Sequence, residues 1–185
     1  MQHGYFTAAQ ARACGFAWDL LTHHTRRGRF LRVRRGLYRL RDYPSSPREE
    51  VVTAWLALGR DTAIVSHDSA LDMLGLSDVI ADAVHLTVPR SKRHLPLLPG
   101  VVIHTTTRPL LPDDFTFREG IRLTAAARTI LDAAEAGTAP EQIELAVAQA
   151  LERGLATARQ LEDGARRRSR RVAQLIGSAL AKARA

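Results

Sequence analysis

Residues 4–40 read GYFTAAQARACGFAWDLLTHHTRRGRFLRVRRGLYRL, and this stretch decides how the chain begins to fold. A first short helix is predicted at Thr7–Ala13, because a threonine hydroxyl at the start can accept a bond from the free amides of the first turn. Gly15 breaks the chain. A second helix is predicted from about Phe16 to Arg27, followed by Gly28, the residue that a helix C-terminus prefers.

A small basic hairpin follows these two helices. Leu31 and Val33 alternate with Arg32 and Arg34, which is the period of a half-buried strand. The next two residues, Arg-Gly, can make the turn, and the sequence LYRL returns as the partner strand. Helix, tight turn, helix and basic hairpin together predict a winged helix-turn-helix.

This outline predicts a DNA-binding surface. Helical spacing turns Leu20 and Leu21 inward and leaves the opposite side of the second helix free to enter the major groove. The arginines of the hairpin, or wing, can hold phosphates. The alternative is that the basic side is only a solvated surface. The predicted DNA contacts are Trp18, Thr22, His23, Arg26 and Arg27 in the helix, and Arg32, Arg34, Arg35 and Arg39 in the wing.

The distribution of charge supports a polyanionic partner. The net charge is +8, but residues 1–43 carry +7, residues 44–165 carry −6, and residues 166–185 carry +7. Two basic ends that flank an acidic middle favour a nucleic acid over a membrane as the polyanionic partner. About six phosphate contacts would give binding a log–log salt slope of about −5.

Composition is that of an ordinary globular protein. Of 185 residues, 45% are hydrophobic and one is cysteine, which excludes a disulfide framework within the chain. The sequence shows neither an apolar stretch of 18 residues nor a signal-peptide pattern, so we expect a soluble cytoplasmic protein without a membrane partner.

The remaining chain predicts a second domain. We expect a winged helix-turn-helix at 1–43, a linker, and at 47–185 a mixed α/β domain with a small sheet and a helical tail from about 140, an α+β fold overall. The last helix carries an apolar stripe that must pack on the domain, on a second copy in a homodimer, or on a partner. Strands are predicted at 62–66, 83–88, 101–105, 115–118 and 120–123, and helices at 47–58, 68–74, 124–136, 140–153, 157–164 and 169–183.

The sequence contains no recognisable motif of an enzyme active site, a metal site or a cofactor site. His85 and His104 could be neighbours on one sheet face, but hydrogen-bonded strand histidines are favoured over metal ligands there, and His67 and His94 lie elsewhere. A nuclease would need acidic residues and a lysine around a metal, and neither of the chain's two lysines has that setting. A cryptic metal-dependent nuclease is kept as a remote alternative.

Two further basic clusters could add phosphate contacts. One is a loop after a predicted strand, which is otherwise a solvated connection. The other stands at the start of the last helix, where cations oppose the helix dipole, so its charge suggests a use. These secondary contacts would be Arg90, Lys92 and Arg93 in the loop, and Arg166, Arg167, Arg168, Arg170 and Arg171 at the helix.

Taken together, these segments of the sequence resemble the AbiEi-type antitoxins of type IV toxin–antitoxin systems. FTAAQARACGF and RRGRFLRVRRGLYRL are similar to the family's N-terminal winged-helix pattern. SHDSALDMLGLSD, VHLTVPR, PGVVIHTT, GIRLTAAARTILDAA and ALERGLATARQLE resemble the successive segments that follow. The family pattern has one more helix before Gly4, where this chain has three residues, so either the DNA-binding unit lacks that helix or the real start of the chain lies upstream.

The resemblance implies an antitoxin that binds repeats in its own promoter, represses its operon and counters a nucleotidyltransferase-like toxin. In the family, DNA binding belongs to the winged helix and antitoxicity to the C-terminal domain. The alternatives are an orphan winged-helix regulator without a toxin, and a protein-interaction module whose basic ends bind the toxin and not DNA.

Overall fold

The computed structural model describes residues 2–184, so the outermost residue of each predicted domain lies outside the described residues. The chain begins with the predicted order of helix, turn, helix and hairpin. Its elements are β1 (Tyr5–Thr7), α1 (Ala8–Ala13), α2 (Trp18–Arg26), β2 (Phe30–Arg34) and β3 (Leu37–Leu40).

Local signals explain the two short helices. Thr7 caps α1 as predicted, because its hydroxyl accepts from the Gln10 amide while the Gln10 side chain accepts from the Thr7 amide. After α2, Gly28 adopts a φ of +71°, a left-handed conformation that suits glycine. The second helix is shorter at both ends than predicted.

Strand β1 was not predicted. It pairs antiparallel with β3, placing Tyr5 opposite Arg39, so that β3 becomes the central strand of a three-stranded sheet in the order β1-β3-β2. The expected burial of the hairpin is therefore wrong in part. Leu31 and Val33 on the edge strand are 37% and 39% exposed, whereas Leu37 and Tyr38 on the central strand are buried.

The second part of the chain is built on a mixed five-stranded sheet in the order β6-β5-β4-β8-β7. The pairs β4–β8 and β5–β6 are parallel, and β4–β5 and β7–β8 are antiparallel. These strands are β4 (Ile64–Val65), β5 (Val84–Pro89), β6 (Val101–Thr106), β7 (Phe115–Arg118) and β8 (Ile121–Thr124).

Six helices complete the mixed α/β fold, which agrees with the predicted class. The apolar stripe of the last helix packs on the domain itself, since Val172, Ile176 and Leu180 belong to the same buried core as Ile143 and Val147. The helices are α3 (Glu49–Leu58), α4 (His67–Leu74), α5 (Ala126–Ala136), α6 (Pro140–Glu152), α7 (Ala158–Ala165) and α8 (Arg170–Ala183).

The N-terminal elements are fixed to the rest of the chain at one junction. Tyr5 and Leu37 join the main core beside α3, where Glu49 accepts hydrogen bonds from the Tyr5 hydroxyl at 3.1 Å and from Arg39 at 3.0 Å. Among residues 2–184, the helices are all too short or too polar to cross a membrane.

Candidate nucleic-acid interface

Helix α2 keeps one side free of the rest of the protein. It is anchored through Leu21, which is 1% exposed, against a cluster formed with Ala11 and Tyr38. Leu20, predicted to point inward, is 41% exposed, because the nine-residue helix is supported along one narrow line only. The open side of α2 is thus available to a partner.

The predicted contact residues of α2 lie on this open side. Trp18 is 59% exposed, and His23, Arg26 and Arg27 are also exposed. Thr22 is half-buried, and its hydroxyl donates to the Trp18 carbonyl at 2.9 Å. With an exposed tryptophan at its start and two exposed arginines at its end, the helix has a surface that suits both base edges and phosphates.

An aromatic cluster holds α2 against the sheet. The ring of Phe30 meets Phe6 and Phe16 edge to face, with centroids 5.0 and 5.8 Å apart, and Phe6 stacks on Tyr38 at 5.7 Å. His24 lies in the same cluster, 5.1 Å from Phe30. Packing of this kind fixes the orientation of the helix relative to the wing.

The wing arginines do not all face the same way. Arg32 lies opposite Tyr38, whose ring packs under α1 and α2, so Arg32 shares the face of the sheet that carries α2. A bulge between Arg32 and Arg34 shifts the register and sets Arg34 opposite Leu37, on the side of α3. Arg34 is accordingly half-buried in a cleft with Glu49 and Glu50, while Arg35 at the turn is exposed.

Arg39 is placed differently from the prediction. Its side chain is only 13% exposed, and its guanidinium donates to Glu49 at 3.0 Å and to the Tyr43 carbonyl at 2.8 Å. The Arg39 side chain lies on the face of the sheet that packs against α3, so this helix covers it. Arg39 therefore joins the wing to α3 and does not face a DNA partner.

Sequence reasoning also left out two arginines of this surface. Arg29 and Arg41 are exposed and lie next to each other at the base of the wing, since the Arg41 amide donates to the Arg29 carbonyl at 3.0 Å. The Arg41 side chain also donates to the Gly28 carbonyl. Both contribute to the charge of +7 over residues 1–43, and this charge was the signal in the sequence that could have identified them.

The secondary basic clusters divide into exposed and internal members. Arg90, Lys92 and Arg93 are exposed on a single 3₁₀ turn after β5. At the start of α8, two arginines are occupied by α5: Arg168 pairs with Asp132, and Arg171 donates to the carbonyls of Ala134 and Glu135. The charge at this helix end thus has a structural use, because Arg171 caps the C-terminus of α5. Arg168 is half-buried, whereas Arg171 is exposed despite its contacts with α5, as are Arg166, Arg167 and Arg170.

Three histidines meet on the polar face of the larger sheet. His85 and His104 are neighbours as predicted, with Nδ1 of His85 3.0 Å from Nε2 of His104. His67, which the sequence left apart, stacks on His104 with ring centroids 3.5 Å apart. Burial, and then the charges of His104, His85, Arg168 and Arg128, lower the pKa of His67 to about 2; burial and His85 also lower that of His104. His67 is therefore neutral at pH 7.

Comparison with known proteins supports the N-terminal interpretation. Residues 1–41 match a family model described as "Transcriptional regulator, AbiEi antitoxin". No curated protein matches the chain. The whole chain is similar to a solved structure, "Crystal structure of RV2827C protein from Mycobacterium tuberculosis", with a TM-score of 0.63 and 17% identity, over 97% of this chain and 72% of that chain. A likeness at this identity concerns the fold alone.

Proposed function

We propose that the chain is a DNA-binding transcriptional regulator of the antitoxin type, which represses its own operon without catalysis by the chain itself. The observation that carries this proposal is the open side of α2 with Arg32 and Arg35 beside it, within the segment that matches a regulator family. Helix α2 would enter the major groove of promoter repeats, and the wing would hold phosphates.

The wing is tested by removing its two exposed arginines, Arg32 and Arg35, together. Each phosphate contact contributes about 0.9 to the log–log salt slope, so the R32A/R35A variant should change a slope of about −5 to about −3. Fluorescence anisotropy with labelled promoter DNA at salt concentrations between about 50 and 200 mM measures this slope.

A matched control removes two exposed arginines outside the N-terminal unit. Arg60 and Arg159 have side chains that are 56% and 92% exposed, so the R60A/R159A variant loses the same charge at little structural cost. Its salt slope should equal that of the unmodified protein. Equal slopes for all three proteins would contradict the role of the wing.

Base reading by α2 requires a different measurement. His23 is exposed on the open side of the helix, where a side chain that contacts base edges contributes to sequence preference. H23A should reduce the ratio of promoter binding to binding of random duplex, whereas R32A/R35A should weaken both alike. A preserved ratio in H23A would remove His23 from the base-reading set.

The antitoxin part of the proposal concerns residues beyond 41, which the family model does not cover. Binding to a nucleotidyltransferase-like toxin is tested by co-expression with the neighbouring gene product, followed by copurification and a growth assay. An interaction module without DNA binding would copurify with the toxin but would fail to shift its own promoter. An orphan regulator would shift the promoter and leave toxicity unchanged.

A further inference from the structure

A polar cavity of about 390 Å³ is lined by residues of the larger domain, and none of its lining residues belongs to residues 1–43. It opens between the ends of β5 and β6, helix α5 and the connection from α7 to α8. Its volume falls in the range of small-molecule sites, about 300–1,000 Å³. His67 and His104 line one wall, and Arg128, Asp132 and Arg168 line the other.

Two guanidinium groups are held side by side in this cavity by one carboxylate. Arg128 donates to Asp132 at 2.7 Å, and Arg168 donates to the other oxygen of the same carboxylate. The three side chains are 14%, 5% and 22% exposed for Arg128, Asp132 and Arg168. Asp132 therefore fixes the direction of both cations, and two partly buried positive groups share one negative charge.

The lining as a whole is positive. Arg108 and Arg167 stand exposed at the rim, so four arginines face two acids, Asp132 and the exposed Glu135. Asp114 lies 3.8 Å from Arg128 and reduces this excess without cancelling it. Like charges at short range are unfavourable unless an anion lies between them, so the excess favours binding of an anion.

His67 adds a neutral donor to this wall. Thr87 donates to the Ser66 hydroxyl at 2.8 Å, and Ser66 lies 2.8 Å from Nδ1 of His67. The proton of Ser66 is then directed to Nδ1, which assigns the single ring proton of His67 to Nε2. The hydroxyls of Thr105 and Thr107 lie at the same opening.

His67, His85 and His104 each place a ring nitrogen within 4.8 Å of the others, but the stacking of two of the rings is unfavourable for a shared metal ion. A zinc ion lies about 2.0–2.1 Å from each nitrogen ligand and in the plane of each ring. The rings of His67 and His104 are stacked at 3.5 Å with an angle of 13° between their planes, so their lone pairs run side by side and do not converge.

We propose that this cavity binds a small phosphate monoester, such as a sugar phosphate or nucleoside monophosphate, whose phosphate is held by Arg128 and Arg168. Arginine pairs present donors in the geometry that phosphate oxygens accept. The cavity is larger than a bare phosphate requires, and the rim threonines and Glu135 can bind hydroxyl groups of the rest of the ligand.

The test is isothermal titration of the full chain with ribose 5-phosphate, AMP, inorganic phosphate and adenosine. We expect saturable binding of at least one ester, weaker binding of inorganic phosphate and none of adenosine. R168Q should weaken binding at least about tenfold. R170Q is the matched control, because Arg170 is exposed and does not line the cavity, and it should retain full affinity.

A second variant keeps the proposal testable if R168Q does not fold. Arg108 is exposed at the rim, so R108Q should fold and weaken ester binding by about threefold. R32A/R35A should bind the ester unchanged, which separates this cavity from the DNA-binding proposal. Absence of ester binding, equal binding of adenosine, or unchanged affinity in R108Q would overturn the proposal. So would binding of Zn²⁺ that requires His85 and His104 while every ester fails to bind.

Discussion

His67 combines two unfavourable features in one residue. Its φ is +53°, in the left-handed region where residues other than glycine are uncommon, and the residue is only 7% exposed. Hydrogen bonding to Ser66 and stacking on His104 hold it there. Strain of this kind concentrates at sites where the surrounding structure determines one conformation, and His67 stands on the wall of the candidate cavity.

His67 should make the stability of the protein depend on pH. Its pKa falls from the ordinary 6.5 to about 2 on folding, so the unfolded state binds a proton that the folded state rejects. The free energy of unfolding should therefore decrease as pH falls below about 6.5, by up to about 1.4 kcal/mol per pH unit from this residue. His104 acts in the same direction, since its pKa is also lowered.

Urea unfolding between pH 7.5 and 5, in steps of about half a unit across the window where one histidine titrates, measures this dependence. H67N is the informative variant, because asparagine tolerates the left-handed conformation and carries no titrating group. In H67N, the free energy of unfolding should depend less steeply on pH, by up to the contribution of about one proton. The contribution of His104 should remain. The same slope in H67N and in the unmodified protein would show that His67 is protonated in the folded state.

The elements of the fold differ in how far the sequence could predict them. Helices α1 and α7 begin at Thr7 and Thr157, where each threonine and the glutamine three residues later form a capping box. These are local signals, and the sequence predicted the cap at Thr7 and a helix that starts at Thr157. The pairing of strands that are distant in sequence has no local signal. Strand β1 joins β3, and β4 lies parallel to β8, because burial of the core selects those neighbours.

The same distinction explains the candidate sites. Alternation predicted Arg32 and Arg34 on one face, but the bulge between them separates their side chains. Arg39 was predicted to contact DNA, yet its partner Glu49 lies beyond the linker. In the cavity, Asp132 meets Arg168 from 36 residues away, a contact that neither charge count nor periodicity contains.

The close contact between α5 and α7 predicts that a larger residue at their interface destabilises the protein. A Cβ at Gly164 in α7 would lie 2.2 Å from Cδ1 of Leu131 in α5, a residue that is 5% exposed. G164A must displace this buried side chain, so it should lower the free energy of unfolding by about 1–3 kcal/mol. Urea unfolding at neutral pH measures the change.

Gly177 provides the matched control on α8. A Cβ there meets no atom of the described residues within 4 Å, and the position is exposed. G177A should raise the free energy of unfolding by about 0.5–1 kcal/mol, since alanine is the better helix former. If both variants were stabilised alike, α5 and α7 would be less closely packed than the structure shows.

At the scale of the whole molecule, Glu49 couples the N-terminal sheet to the larger domain. Burial acts to raise its pKa, but hydrogen bonds from the Ser46 amide, the Tyr5 hydroxyl and Arg39 outweigh it and lower the pKa below the ordinary 4.5. A lowered carboxylate pKa means that the stabilising contribution is present above that value and is lost as pH falls through the folded-state pKa. The junction should therefore be intact at neutral pH.

E49Q should loosen this junction selectively, because the amide keeps the shape of the side chain but loses the charge that Arg39 and Tyr5 bind. Hydrogen exchange followed by mass spectrometry should show peptides from β1 and β3 exchanging about fivefold faster at neutral pH, equivalent to about 1 kcal/mol, with α6 unchanged. E50Q, an exposed neighbour with the same change in charge, should exchange like the unmodified protein. Equal acceleration of β1, β3 and α6 in E49Q would mean that the chain opens as one unit, and the surface that presents α2 and the wing would then be as rigid as the core behind it.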